Sequence, residues 1–373
     1  MKTIQFGVIG CGLMGREFAS AAARWCHLNN VNAKPRIVAV SDLNTSAMGW
    51  FTTQFDIAQA TTDYRELLAN PEVEAIYCAV PHNLHEEIYI EILRAGKHLL
   101  AEKPFGIDLP AAERIYEEIQ RHPELLVRCS SEFPFYPGAQ RIVKMVEEDA
   151  FGRIIEVTSG FMHSSDLDPM KPINWKRRVA TCGEYGCMGD LGMHAVHLPA
   201  RFGFRPKNVR ALLSKIIEER PDGKGGMAPC ETWDNATLAC ETEQGFPLII
   251  ETKRISPGDT NTWTLRILGT ENSAEFTTHR PKTLRTLPYR PGEPQAWREE
   301  DLGCASAYPA ITGHIFEFGF PDAILQMWAA FVDELAGNEP RFRCATPEEA
   351  LLSHRLFTAA LRSHKESSTV EVR

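Results

Sequence analysis

The sequence predicts an α/β chain of two domains: an N-terminal doubly wound parallel sheet, then an α/β domain on a large, mostly antiparallel open sheet. Three observations carry this expectation. A short apolar strand at residues 4–9 runs directly into Gly10-Cys11-Gly12-Leu13-Met14-Gly15 and a helix-like segment at 16–23. Strand-like and helix-like segments then alternate to about residue 125, the pattern of parallel strands joined by crossover helices. From about Arg153 the strands follow one another closely, separated by turns such as Pro257-Gly258 and Gly269-Thr270, as in an antiparallel sheet.

Taken in order, the glycine turn is informative because of its context. A GxGxxG alone occurs in ordinary loops, but with a strand before it and a helix after it, it allows a tight turn and close approach of a pyrophosphate. The free amides at the start of the helix would face the phosphate charge. Gly10, Gly12, Leu13, Met14 and Gly15 are therefore candidate cofactor contacts. The next strand, 36–42, ends in Ser41 and Asp42. Asp42 lies further from Gly15 than the roughly 20 residues usual for a ribose-binding acid, and the polar loop at 27–35 takes up the surplus. Its carboxylate suits the ribose hydroxyls of NAD. The 2′-phosphate of NADP would meet a like charge, costing about 4 kcal/mol per charge at about 4 Å and an effective dielectric of about 20. Residues 43–46 supply no basic group to offset this. NAD is expected and NADP is disfavoured; the bland alternative for Asp42 is a turn cap.

Further strands are expected at 75–80 and 98–101, and a helix at 110–121 with Pro110 in its first turn. In the second domain, strands are expected at 154–160, 236–241, 248–254, 262–268 and 273–277. Helices are expected at 324–335 and at 347–364, the latter after the cap residue Thr346 and packing back on the first domain. Residues 291–310 show little periodicity and read as a long loop. The domains are placed at 1–125 and 126–373.

A chain of 373 residues exceeds a single ordinary core. No run of about 18 apolar residues would span a membrane. The N-terminus leads at once into a strand, leaving no room for a signal peptide, so a cytoplasmic location is expected. A net charge of -9 argues against a nucleic-acid surface. The ten cysteines form no CxxC pair and read as reduced, mostly buried thiols. An open one-sided sheet is expected to be covered by another subunit, in a homodimer or homotetramer.

Two stretches after the third strand, Pro81-His82-Asn83-Leu84-His85 and Ala101-Glu102-Lys103-Pro104, together resemble the Gfo/Idh/MocA family, which includes glucose-fructose oxidoreductase and inositol dehydrogenase. The resemblance implies that the first stretch borders the nicotinamide ribose and that Lys103 is the active-site lysine. It places Ala79, Val80, Pro81, His82, Asn83, His85, Glu102 and Lys103 at the cofactor. It also implies a cis Lys103–Pro104 peptide. His82 stands where Asn is commoner, with Asn83 beside it as a substitute. A third stretch, Gly186 through His194, looks like the family's GGxxxDxGxH segment, departing from it at Glu184-Tyr185 and Cys187. If it is helical, Asp190 and His194 share one face. Weaker matches are Leu268 to Ser273 and Tyr308 to His314.

Oxidation of a secondary alcohol by hydride transfer also releases the hydroxyl proton. His194 is the natural base, Asp190 would orient it, and Lys103 would hold the substrate oxygen. The bland alternative is a core histidine bonded to Asp190. A metal site with His197 also has suitable spacing, but hydride transfer needs no metal and none is expected. For the substrate, Trp175 offers a stacking face, while Lys176 and Arg177 either bind an anionic group or form a solvated basic turn. His163, His314 and Tyr136 are further candidates. The function expected is NAD-dependent hydride transfer with a sugar, cyclitol or sugar-derived hydroxyl. The alternatives are an NAD-dependent glycosidase acting by transient oxidation and elimination, and a nucleotide sensor without catalysis, which intact Lys103, Asp190 and His194 oppose.

Overall fold

The computed structural model describes residues 1–303, 306–313 and 315–373. Six parallel strands, β1 (Lys2–Ile9), β2 (Ala33–Ser41), β3 (Gln59–Thr61), β4 (Ala75–Cys78), β5 (His98–Ala101) and β6 (Val127–Cys129), form the first sheet in the order β3-β2-β1-β4-β5-β6. The connections carry α1 (Leu13–Ala23), α2 (Thr45–Gln54), α3 (Tyr64–Leu68), α4 (His85–Arg94) and α5 (Leu109–Arg121). Short polar side chains start three of them: Asn44 accepts from Ser46 N at 3.0 Å, Asp63 from Arg65 N at 3.0 Å and Asp108 from Ala111 N at 2.8 Å. Strand order reverses between β1 and β4, where an open α/β sheet has its binding crevice, and the glycine turn lies there. Strand β6 closes this sheet just beyond residue 125; three residues are too few for a periodic signal.

The second domain begins with α6 (Pro137–Glu147) and β7 (Ile154–Met162), followed by the one-turn α7 (Val179–Cys182) and α8 (Cys187–Arg201). Then come β8 (Pro206–Ser214), the ribbon of β9 (Glu219–Pro221) and β10 (Met227–Pro229), β11 (Asn235–Thr242) and β12 (Pro247–Lys253). The remaining elements are β13 (Thr262–Gly269), β14 (Asn272–Thr277), β15 (Thr283–Pro288), β16 (Arg298–Asp301), α9 (Phe320–Leu335), α10 (Pro347–Glu366) and β17 (Val370–Glu371). Nine of these strands make one sheet in the order β16-β15-β14-β13-β7-β12-β11-β8-β17. Its pairs are antiparallel except β7 with β12. Strand β16 corrects the expectation of a loop over 291–310: Arg-Glu-Glu-Asp is an exposed, charged edge strand, with no apolar alternation to betray it.

Buried residues alternate along this sheet, as in Val209, Ala211 and Leu213, or Trp263, Leu265 and Ile267, so one face carries the core. Helix α8 lies on that face and is buried from Cys187 to Pro199. It is fixed by Ser159 Oγ donating to Ala195 O at 2.7 Å and Trp263 Nε1 donating to His194 O at 2.8 Å. Gly192 lets α10 approach, because a Cβ there would collide with the Phe357 ring.

The last two long helices return to the first domain. Trp328 of α9 stacks on Phe18 with ring centroids 3.5 Å apart and meets Phe6 and Tyr77 edge-on. Helix α10, opened by the Thr346–Glu349 capping box, packs on α5 as well as α8, and His354 Nε2 accepts from Gly106 N at 3.2 Å. Replacing Trp328 with Ala is expected to cost about 3–5 kcal/mol, measured by urea unfolding. A cost below about 1 kcal/mol would mean that this junction does not hold the domains together.

Candidate active site

At the end of β1 the chain turns through Gly10 with φ 96°, and a Cβ there would collide with the Ala79 carbonyl. Gly15, in the first turn of α1, packs on the Gly10 carbonyl just as tightly. Gly12 differs: a Cβ would meet nothing within 4 Å, and Gly12 caps α1 without a side-chain bond. The first-turn amides of a helix have no partner inside it, so this opening is a cradle for an anion. Asp42, at the end of β2, accepts from Cys11 N at 2.7 Å through one oxygen and from Asn44 N at 2.7 Å through the other. The turn-cap reading and the ribose reading coexist, since each carboxylate oxygen retains an acceptor site. These residues fit a dinucleotide.

One continuous cavity of about 990 Å³ runs from this turn into the second domain. Of the residues expected at the cofactor, Gly10, Gly12, Leu13, Met14, Ser41, Asp42, Ala79, Val80, Pro81, His82, Glu102 and Lys103 line it. Gly15 shapes the turn from behind. Asn83 is exposed outside the cavity, so it does not substitute for His82. His85 also lies behind the wall, fully buried, with Nδ1 2.7 Å from Pro104 O and Nε2 2.9 Å from Val80 O. Neutral, the ring donates through one nitrogen to one of these two carbonyls, and burial pushes its pKa down to about 4. The Lys103–Pro104 bond is cis.

At the far end Lys103, just past β5, reaches α8. Its Nζ donates to Asp190 O at 2.7 Å and lies 3.2 Å from Asp190 Oδ1. Lys176 Nζ contacts both Asp190 oxygens, at 3.0 and 3.3 Å, and Arg254, just past β12, pairs with the same carboxylate. Burial lowers the pKa of both lysines. Asp190 and His194 do share a face of α8, but among the described residues no hydrogen bond joins them. Three cations outbid a neutral imidazole for the carboxylate. The carboxyl that faces His194 is instead Glu132, with Oε2 3.7 Å from Nδ1. Burial, then Lys103, holds the His194 pKa well below its usual value, so the ring is neutral. Burial, then Glu102, pushes the Glu132 carboxyl up to about 8. The rings of Phe133 and Phe161 meet His194 edge-on and exclude water.

Of the residues expected at the substrate, Trp175, Lys176 and His163 line the cavity. Arg177 does not: it is 1% exposed and paired with Asp166 and Asp234. A guanidinium beside two buried carboxylates is a structural tie, and adjacency in sequence to Lys176 hid that. His197 turns to Arg201 and Glu349 and does not converge with Asp190 and His194. Tyr136 packs between Phe276 and Phe318. His314 lies outside the described residues. Sequence reasoning missed Glu132, Arg254, Ser165 and Asn261, which line the cavity from segments without a motif.

The description "Oxidoreductase family, NAD-binding Rossmann fold" matches residues 4–128, and the GFO/IDH/MocA C-terminal domain matches residues 139–275. The chain belongs to the Gfo/Idh/MocA family. Its Rossmann domain is therefore the NAD site, in agreement with the cradle at Gly12. Levoglucosan dehydrogenase of Pseudarthrobacter phenanthrenivorans is 25% identical over 299 residues, covering 76% of each chain. Inositol 2-dehydrogenase 2 of Saccharopolyspora erythraea is 28% identical over 249 residues, covering 67% of this chain and 66% of its own. A solved structure of levoglucosan dehydrogenase in complex with NADH and L-sorbose matches over 100% of both chains with a TM-score of 0.90. At 23% identity that likeness concerns the fold.

The two glycines separate folding from binding within this family site. Gly12→Val is expected to keep the wild-type melting temperature while weakening NAD binding by more than about tenfold, read by calorimetry. Gly10→Ala is expected to lower the melting temperature itself. Equal NAD affinity in Gly12→Val would remove the cradle.

Proposed function

We propose that this chain is an NAD-dependent dehydrogenase for a hydroxyl group on a sugar, cyclitol or sugar-derived polyol. The observation that carries this reading is the continuity of the cavity from the Gly12 cradle and Asp42 to Lys103, Asp190 and His194. The relatives named levoglucosan dehydrogenase and inositol 2-dehydrogenase support the substrate class. Bound NAD supplies the hydride acceptor. The chain's own residues do the rest: α1 and Gly12 receive the pyrophosphate, Asp42 the ribose hydroxyls, and Val80, Pro81 and His82 wall the site.

Lys103 donates to the reacting oxygen and stabilises the negative charge that develops there. Asp190 positions that ammonium. His194, kept unprotonated by burial, accepts the hydroxyl proton, and Glu132 can take it on from Nδ1 once its own proton has left. The sign for alcohol oxidation follows from Glu132. Its acceptor form exists above about 8, so the rate rises with pH through about 8.

Lys103→Met is expected to lower kcat by roughly 10²–10³-fold with NADH still bound, seen by fluorescence titration. Glu132→Gln is expected to abolish the alkaline rise in kcat/KM. An unchanged profile in that variant would exclude the relay through Glu132.

An NADH-absorbance screen of neutral and anionic sugars and glycosides, run beside an assay for released aglycone, tests the reaction itself. Net NADH from a free sugar is the expected result. Aglycone release without net NADH would replace the dehydrogenase by the redox-neutral glycosidase.

We also infer a homodimer or homotetramer acting in the cytoplasm. The open face of the second sheet, where Leu212 is 65% exposed, supports the first; a monomer mass by light scattering would overturn it. Nine free cysteines among the described residues, eight of them buried, support the second. Among the described residues no helix is long and apolar enough to cross a membrane.

A further inference from the structure

Two lysines share Asp190, although a reacting hydroxyl asks for one donor on its oxygen. Lys103 is the one at the end of β5. Lys176 comes from the other domain, and its place is built: its backbone N donates to Asn174 Oδ1 at 2.9 Å, and its backbone O accepts from Thr232 Oγ1 at 2.9 Å. On either side of it, the Trp175 ring meets His82 edge-on with centroids 4.7 Å apart, and Arg177 turns inward to Asp166 and Asp234. Lys103 and Arg254 already pair with the Asp190 carboxylate, so keeping it ionised does not call for a third cation. Of the three, Lys176 has the most accessible side chain, 32% exposed against 16% for Lys103 and 7% for Arg254.

A lysine nitrogen has three bonding directions besides its own carbon. On Lys103 Nζ, Asp190 fills two of them, through its carbonyl O at 2.7 Å and Oδ1 at 3.2 Å. On Lys176 Nζ it again fills two, through Oδ1 at 3.0 Å and Oδ2 at 3.3 Å. Among the described residues no other hydrogen bond reaches either nitrogen, so each keeps one direction open, and both residues line the cavity. Because Oδ1 is common to both, the nitrogens lie closer together than those two contacts laid end to end. That is the span of a pair of neighbouring oxygens. Burial lowers the pKa of both lysines, so the open direction carries an N–H or a lone pair according to pH. A hydroxyl answers either state: its oxygen accepts from the N–H, or its proton is accepted by the lone pair. A carbonyl or carboxylate oxygen answers only the first.

We propose that Lys176 is a specificity-determining residue that holds a second hydroxyl of the substrate, on the carbon next to the one oxidised, while Lys103 holds the reacting hydroxyl. This rests on the dehydrogenase reading for which hydroxyl reacts, and on the geometry at Asp190 for the pairing. The hydroxyl on the adjacent carbon is the nearest second oxygen a polyol presents, and Ser165 and Asn261, which line the cavity, offer further polar partners. A site built to hydrogen-bond a substrate hydroxyl rejects the analogue that lacks it, because the polar group of the site is then left unpaired.

Titration of the protein loaded with NADH, in which no oxidation occurs, reads the pairing with minimal probes by saturation-transfer NMR. The probes are cis- and trans-cyclohexane-1,2-diol, compared with cyclohexanol, cyclohexane-1,3-diol and 2-hydroxycyclohexanecarboxylate. At least one 1,2-diol is expected to bind about tenfold or more tighter than cyclohexanol, the worth of one hydrogen bond to a charged group, and tighter than the 1,3-diol and the carboxylate. In Lys176→Met the ratio of diol to cyclohexanol affinity is expected to fall to within about twofold of unity. Lys176→Gln, whose amide both donates and accepts, is expected to keep part of the ratio, and circular dichroism checks the fold of both variants. A merely structural role for Lys176 would weaken all probes alike and leave the ratio as it is. The proposal is overturned by 1,2-diols that bind no tighter than cyclohexanol or not measurably, by the 1,3-diol or the carboxylate binding tighter than both 1,2-diols, or by an unchanged ratio in Lys176→Met. Turnover decides the underlying reading separately. A 1,2-diol preference with no NADH formed from any diol or sugar leaves Lys176 in its role and removes the dehydrogenase, whereas NADH from a sugar without a 1,2-diol preference does the reverse.

Discussion

Asp190 is the point on which the two halves of the site meet. Its carboxylate is 2% exposed, and it gathers Lys103 from the end of the first sheet, Lys176 from a turn of the second domain and Arg254 from the end of β12. Buried charges are tolerated only when paired and hydrogen-bonded, and removing one partner strands the others at a cost of about 3–5 kcal/mol. The carboxylate therefore sets the position of Lys103 as firmly as the strand that carries it. It also explains why the helix face shared with His194 does not produce an Asp–His pair: electrostatics reassigned the carboxylate to the cations.

Around that contact the domains are joined by apolar packing rather than by a linker. Trp328 lies against Phe18, Phe6 and Tyr77, so α9 belongs as much to the first core as to the second domain that precedes it in sequence. Helix α10 touches both α5 and α8. The same helices that complete the Rossmann layer thus hold α8, with Asp190 and His194, over the end of β5. Through this packing Gly12 and the lysine at the end of β5 share one cavity with Asp190 and His194, side chains from nearly 200 residues along the chain.

Burial then decides the protonation states. His82, His85, His163 and His194 are all driven toward the neutral form, and the Glu132 carboxyl toward the protonated one. A site stripped of water favours uncharged groups wherever no partner ion intervenes. Asp190, ringed by cations, is the one carboxylate on α8 held in such company.

Motifs and long periodic elements were legible in the residues themselves. The strand–glycine–helix turn, the acid ending β2, the Lys103-Pro104 segment and the helical spacing of Asp190 and His194 each depend on neighbours in sequence, and each lies in the structure where periodicity and motif put it. Short or charged elements such as β6 and β16 were not legible, since three or four residues carry no periodic signal. Partners were not legible either. Whether Arg177 or Arg254 faces the cavity, whether Glu132 or Asp190 faces His194, and that both nitrogens of His85 lie against carbonyls, follow from packing between segments far apart in the chain. The sequence determined which chemical groups the chain brings to its site; only the tertiary structure decided their pairing, because a buried charge takes whichever opposite charge the packing brings within reach.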